Sequence, residues 1–147
     1  MKPGLAADIL AAVSTLHRGD REQAHEELEA IWARVDPDDH FHRCVVAHYL
    51  AEAQSDPAEE LRFDILALAA ARRAEPAEFD GRFPGLTLVG FLPTLHVKLA
   101  TAYERVGELT LARLHATEAK DALAKVPVGP AGDVTRAVLA RLNRRLG

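Results

Sequence analysis

The sequence predicts an all-α protein. Two observations carry this prediction: apolar residues recur at three- and four-residue spacing almost throughout, and the alternation typical of a β-strand is scarce. The periodic stretches are separated by short segments that contain Gly, Pro or Asp, which begin and end helices. Of the 147 residues, 48% are apolar and 27% are charged, the balance of a folded globular chain. We therefore expect one domain, residues 1–147, with seven helices and no sheet.

The first pair of helices is predicted within residues 3–37. The first helix covers about residues 3–17, with its apolar residues on one face. Gly19 suits the left-handed conformation that ends many helices. Asp20 and Gln23 form a capping box that begins the second helix. An Asp-Pro pair then ends this helix.

The second pair is predicted within residues 39–74. Asp38 or Asp39 can accept a hydrogen bond from the first turn of the third helix. Asp56 can cap the fourth helix in the same way, with Pro57 at its first position. These caps place the turn of the second pair near residue 55.

A third pair and a last helix complete the prediction. The third pair covers residues 93–126, begins at a proline and turns at Gly107. Before it lies an inserted loop, residues 75–92. Asp133 can cap the last helix, which covers about residues 131–146.

The third pair also carries an ordered set of small residues. Ala100 precedes Tyr103 by three residues, Gly107 marks the turn, and Ala112 and Ala119 follow seven apart. This pattern resembles a tetratricopeptide (TPR) repeat. The resemblance implies a TPR-like array of antiparallel helix pairs, closed by a capping helix, that binds a peptide or protein segment in its concave groove. In such an array Tyr103 is structural and packs between neighbouring pairs.

The first two pairs match this pattern less well. Thr15 and Ala51 stand where the third pair has its tyrosine. The turns at Gly19 and Ser55 are 36 residues apart, close to the repeat of about 34 residues. The basic helix at the C-terminus is expected to cover the open end of the array.

The register of the third pair predicts which residues bind the partner. The groove-facing positions are Ile9, Val13, Leu16 and His17 in the first pair, His42, Val45, Tyr49 and Glu52 in the second, and Val97, Thr101, Glu104 and Arg105 in the third. Tyr49 is the expected anchor, with a mostly exposed ring, because tyrosine provides a large contact area at low entropic cost.

Residues 38–52 concentrate histidines around the only cysteine. His40, Cys44 and His48 share one helix face about 12 Å long, so only neighbours along it could bind one metal ion. Further ligands would have to come from elsewhere, such as His17 or His96. We therefore expect an ordinary helix face, with no metal site and no cofactor. The alternative is a metal or small-ligand site formed by His42, Cys44, His48 and His96.

The sequence contains no motif typical of catalysis. A Gly-rich phosphate loop, a GxSxG motif and paired catalytic carboxylates are missing. A reactive Cys44 thiolate is an alternative, but no third orienting group is identifiable. We expect a protein that is not an enzyme and has no catalytic residue. A structural homo-oligomer subunit is a further alternative.

Charge and cysteine content restrict the partner and the compartment. The net charge of −4 does not favour nucleic acid or an anionic membrane, so we expect a protein or peptide partner, or a homodimer. Residues 20–60 hold 12 acidic and 3 basic side chains, a local net charge of −9. One cysteine excludes an internal disulfide, and neither a signal peptide nor a membrane span is recognisable. We expect a cytoplasmic protein, and the frequent Ala, Leu and Arg suggest a GC-rich bacterial genome.

The inserted loop is unusually apolar. It contains Phe79, Phe83 and Phe91 and the run of residues 86–89. A loop of this length and content is either functional or packed. We expect it to pack across the groove or an edge of the array, with a dimer contact or a partner-binding lid as alternatives.

Overall fold

The computed structural model describes residues 4–79, 83 and 86–147, and these residues form α-helices connected by turns. The predicted all-α fold is confirmed, with no β-strand in the described ranges. Eight helices are present there in place of the predicted seven: α1 Leu5–His17, α2 Arg21–Arg34, α3 His40–Ala53, α4 Pro57–Arg73, α5 Pro76–Phe79, α6 Leu88–Arg105, α7 Leu109–Leu123 and α8 Pro130–Leu146. None of the described helices is long and apolar enough to cross a lipid bilayer.

The helices group into two compact units, Met1–Glu78 and Phe79–Gly147. In the N-terminal unit, α1 packs on α2, α2 packs on α3, and α3 packs on both α4 and α1. The most buried large side chains of this unit include Ile9, Leu28, Phe41 and Leu50. Removal of such side chains from water contributes about 1.5–3 kcal/mol each to folding.

The predicted aspartate caps of the N-terminal unit are confirmed, but the Asp20 amide donates to the Thr15 carbonyl and not to the Gln23 side chain, so the reciprocal capping box is not present. Gly19 has a φ of 91°, in the left-handed region that glycine adopts without a steric cost. Three aspartates accept a backbone hydrogen bond at the start of a helix: Asp20 from Gln23, Asp39 from His42, and Asp56 from Ala58. These local signals set the three turns of the unit.

The C-terminal unit is built on a close contact between α6 and α7. Small side chains on both helices, including Ala100, Ala112, Ala116 and Ala119, belong to its core cluster and allow the backbones to approach. α8 packs on both helices and adds three leucines to this core: Leu139, Leu142 and Leu146. Gly107, with a φ of 83°, makes the turn between α6 and α7.

One predicted helix start and one predicted helix cap are wrong. The fifth predicted helix begins not at Pro93 but at Leu88, because Thr87 caps it by accepting a hydrogen bond from the Gly90 amide at 3.1 Å. Pro93 lies inside α6, where it lacks the amide proton that a helix interior normally donates. The last helix begins at Pro130, so Asp133 lies in its first turn and does not cap it.

The segment predicted as an inserted loop is partly helical. It contains the short helix α5 and the first turn of α6, which gives the eighth helix. Phe79 and Phe91 are both buried, with ring centroids 6.4 Å apart. Phe79 and Phe91 therefore pack on each other within the C-terminal unit. Residues 80–82, 84 and 85 lie outside the described residues.

Candidate functional site

The histidines and the cysteine of α3 do not converge on one point. Cys44 is fully buried, and burial raises the pKa of its thiol to about 12, so the neutral thiol is the stable form. His42 Nδ1 lies 2.6 Å from Asp39 Oδ2, whereas His48 Nε2 lies 3.5 Å from Glu52 Oε1. The two histidines thus have different carboxylate neighbours. Among the described residues, no cluster of three metal-ligating side chains includes His42, Cys44 or His48.

Tyr49, the predicted anchor, lies where α1 meets α3. Its ring is partly buried, in place of the mostly exposed ring that the sequence predicts. The exposed His17 of α1 meets it edge-on with centroids 6.4 Å apart, and His48 contacts it at 4.8 Å. Burial, and next the charge of Glu52, raise the pKa of Tyr49. We refer to His17, Tyr49 and Glu52 as the Tyr49 surface.

Two other residues predicted to face a partner lie in the core of the N-terminal unit. Ile9 is 0% exposed and Val45 is 3% exposed, so the prediction that they contact a partner is wrong. For Val45 the reason is that α3 packs on three neighbouring helices and is buried on more than one face, whereas Ile9 lies on α1, which packs on α2 and α3. Val13 and Leu16 are partly buried.

Val97, Thr101 and Glu104, which the sequence assigns to a partner, make contacts within the C-terminal unit. Val97 is 4% exposed and belongs to the core that α8 covers, so its predicted contact with a partner is wrong. The Thr101 hydroxyl donates to the Val97 carbonyl at 2.9 Å. Arg145 of α8 donates to both carboxylate oxygens of Glu104 at 3.0–3.1 Å. Arg105 is exposed.

A groove of about 380 Å³ remains between α6 and α8. Its lining is mostly apolar and hydroxylic and includes two basic residues: Thr94, Val97, Lys98, Thr101, Val134, Thr135, Val138 and Arg145. The last helix of the chain therefore covers much of the α6 surface that the sequence assigns to a partner.

A cluster of polar side chains lies at the contact of α6 with α7. His96 Nδ1 is 3.2 Å from His115 Nδ1 and 3.2 Å from Glu118 Oε2. His115 Nδ1 is 3.7 Å from the same oxygen of Glu118, so the three atoms form a triangle. The histidines are 7% and 8% exposed, whereas the Glu118 side chain is 36% exposed. Tyr103 is partly buried and lies nearly parallel to the His115 ring, with centroids 5.6 Å apart and planes at 13°. It thus packs on α7 and on the core of its own unit.

The sequence predicts neither His115 nor Glu118 as part of a site. One signal was present: the two residues are separated by three positions on one helix, which places both on the same face. The contribution of His96 from α6 depends on how the two helices align. That alignment is a tertiary contact, which the periodicity of a single helix does not contain.

Comparison of the chain with protein-family models, with curated proteins and with solved structures found no match.

Proposed function

We propose that the protein is a non-catalytic interaction module that binds a cationic peptide segment on the Tyr49 surface. The observation that carries this proposal is the edge-on contact of His17 with Tyr49, which joins two predicted partner residues from different helices. The partly buried ring offers a rigid apolar contact with a polar hydroxyl. Tyrosines in such positions are enriched among the residues that dominate binding energy.

Charge favours a cationic partner. Residues 20–60 carry a local net charge of −9, and Glu52 lies next to the anchor. A negative field at this surface attracts lysine and arginine side chains and increases the rate of association. A cation can also lie over the face of a tyrosine ring, which stabilises binding further.

The proposal retains the TPR-like interpretation of the three helix pairs and the capping helix. In that arrangement the first helix of each pair contributes to the binding face, and α1 and α3, which carry His17 and Tyr49, are the first helices of their pairs. Cys44 supports a non-catalytic role, because a thiol with a pKa of about 12 is a poor nucleophile at neutral pH. We further propose that the protein is cytoplasmic, because its single cysteine cannot form an internal disulfide. Its composition suggests a bacterial origin.

The test is a selection of peptides from a random displayed library with the purified full chain, followed by calorimetric titration of the selected peptides. We expect peptides rich in lysine and arginine, whose affinity falls with added salt. Tyr49→Ala should weaken them by about 30-fold, equivalent to about 2 kcal/mol, whereas Tyr49→Phe should retain most of the affinity.

The matched control is Leu114→Ala, which shortens an exposed apolar side chain in the other unit. It should leave peptide affinity unchanged. The proposal is overturned if no peptide binds, if the selected peptides are acidic, or if Tyr49→Ala binds them as well as the original chain. Thermal melting of each variant shows whether a loss of binding reflects a loss of folding.

A further inference from the structure

The cluster of His96, His115 and Glu118 has the dimensions of a metal site. Its three donor atoms lie 3.2, 3.2 and 3.7 Å apart. Zinc bonds to histidine nitrogen and carboxylate oxygen are about 2.0–2.2 Å long, so two ligands of a tetrahedral ion are about 3.3–3.6 Å apart. Each side of the triangle is within a few tenths of an ångström of that distance.

We propose that His96, His115 and Glu118 bind one zinc ion in the C-terminal unit. The ion is coordinated by Nδ1 of each histidine and by one oxygen of Glu118, with a fourth position for water. This site is separate from the Tyr49 surface and does not depend on the peptide-binding proposal.

The donor set favours zinc over the hard cations. Two imidazole nitrogens and one carboxylate oxygen suit zinc and its neighbours in the first transition row, whereas magnesium and calcium prefer oxygen ligands. The charge also fits, because one carboxylate offsets part of the charge of the ion. The partial exposure of Glu118 leaves this side of the site accessible to water and to an incoming ion.

The surrounding packing holds the ligands in place. His96 is on α6, and His115 and Glu118 are on α7, the two helices that approach closely through small side chains. The ring of Tyr103 lies against His115, which restricts rotation of the imidazole. A site held in this way loses little entropy when the ion binds.

The placement of protons on the two imidazole rings is compatible with zinc binding. A neutral imidazole coordinates through Nδ1 when its proton is on Nε2, so both histidines can coordinate without a net loss of protons. In the metal-free protein, a 3.2 Å contact between two Nδ1 atoms requires a proton on one of them. The competing interpretation is that this shared proton is the whole role of the cluster, with the carboxylate as a second acceptor.

The experiment is a titration of chelator-treated full chain with zinc chloride, in competition with a fluorescent chelator. Cobalt chloride provides a second readout, because tetrahedral cobalt has strong visible absorption. We expect one zinc ion per chain at micromolar concentrations. His96→Gln, His115→Gln and Glu118→Gln should each weaken binding by at least about a hundredfold, because even residues outside the coordination shell contribute about 10–100-fold.

Two control variants separate this site from adventitious binding. Asp121→Asn removes an exposed carboxylate from the same helix, and His25→Gln removes a surface histidine 3.3 Å from Glu29. Both should bind zinc as the original chain does. Because Glu118 is partly exposed, Glu118→Gln provides a test even if a histidine variant fails to fold.

Zinc should also shift the nuclear magnetic resonance signals of His96 and His115 and leave those of the other histidines in place. The proposal is overturned if zinc does not bind at micromolar concentrations. It is also overturned if Glu118→Gln retains full affinity, or if the stoichiometric ion is lost in His25→Gln and not in Glu118→Gln.

Discussion

The histidines of the two units meet carboxylates in different ways. In the N-terminal unit each pair lies along one helix or its cap, three or four positions apart: His25 with Glu29, His42 with Asp39, and His48 with Glu52. In the C-terminal unit, His96 of α6 meets His115 and Glu118 of α7. A spacing of three or four residues along one helix produces histidine–carboxylate pairs. The three metal-binding side chains that meet in the C-terminal unit come from two helices. Histidines that are close in the sequence are therefore not the ones that gather in space.

The largest expected effect concerns the reactivity of Cys44, which lies among the histidines of the N-terminal unit. Although Cys44 is near several histidines in the sequence, burial raises the pKa of its thiol from 9.0 to about 12. Below pH 9 this lowers the thiolate fraction by about a thousandfold. Alkylation by iodoacetamide should therefore be slower by at least about a thousandfold in the folded chain than in denaturant, as measured by mass spectrometry.

The same shift predicts how stability depends on pH. The folded state holds the thiol proton more tightly than the unfolded state, so the contribution of Cys44 is fully present below about pH 9 and is lost as the pH rises towards 12. Urea unfolding across this range measures it, with Cys44→Ala as the control that removes this group. Rapid alkylation of the folded chain would show that α3 exposes a reactive thiolate.

An effect of intermediate size concerns the packing of α6 on α7 in the C-terminal unit. Ala116 is 4% exposed in the contact between α6 and α7, so Ala116→Leu should lower the free energy of unfolding by about 1–3 kcal/mol. The same change should weaken zinc binding, because it separates the helices that carry the ligands. Thr117→Leu adds a similar side chain at an exposed position of α7 and should do neither. If Ala116→Leu leaves unfolding in urea unchanged, close packing does not hold the two histidines together.

The smallest effect concerns a single histidine–carboxylate pair. Asp39 accepts a hydrogen bond from the His42 amide at 3.2 Å and contacts its ring. Asp39→Ala removes both and should cost about 1 kcal/mol of stability, as for other helix caps. His42→Gln keeps the cap and should cost less. Equal losses in the two variants, measured by thermal melting, would assign the stabilisation to the ring contact and not to the cap.

The sequence predicted features that depend on neighbouring residues. Asp20 and Asp56 were identifiable as caps because a cap bonds to an amide two or three positions away. The start of α6 was missed because Pro93 is a strong start signal, whereas Thr87 provides the cap that forms.

Contacts between helices were predicted only in part. The repeat register placed His17 and Tyr49 on one face, and the structure brings their rings together. It also placed Val45 there, but this residue is buried because α3 has three helical neighbours. The cluster of His96, His115 and Glu118 depends on how α6 lies along α7, which no local pattern specifies.

The order of helix contacts has a consequence for how the chain folds. Within each unit, the helices pack mainly on those that precede or follow them directly in the sequence. Contacts between residues that are close in sequence form quickly, and helical proteins of this kind fold in about microseconds to milliseconds. The tight turns at Gly19 and Gly107 shorten the loops that must close first. During synthesis, each hairpin can therefore form as soon as its second helix leaves the ribosome, before the rest of the chain exists.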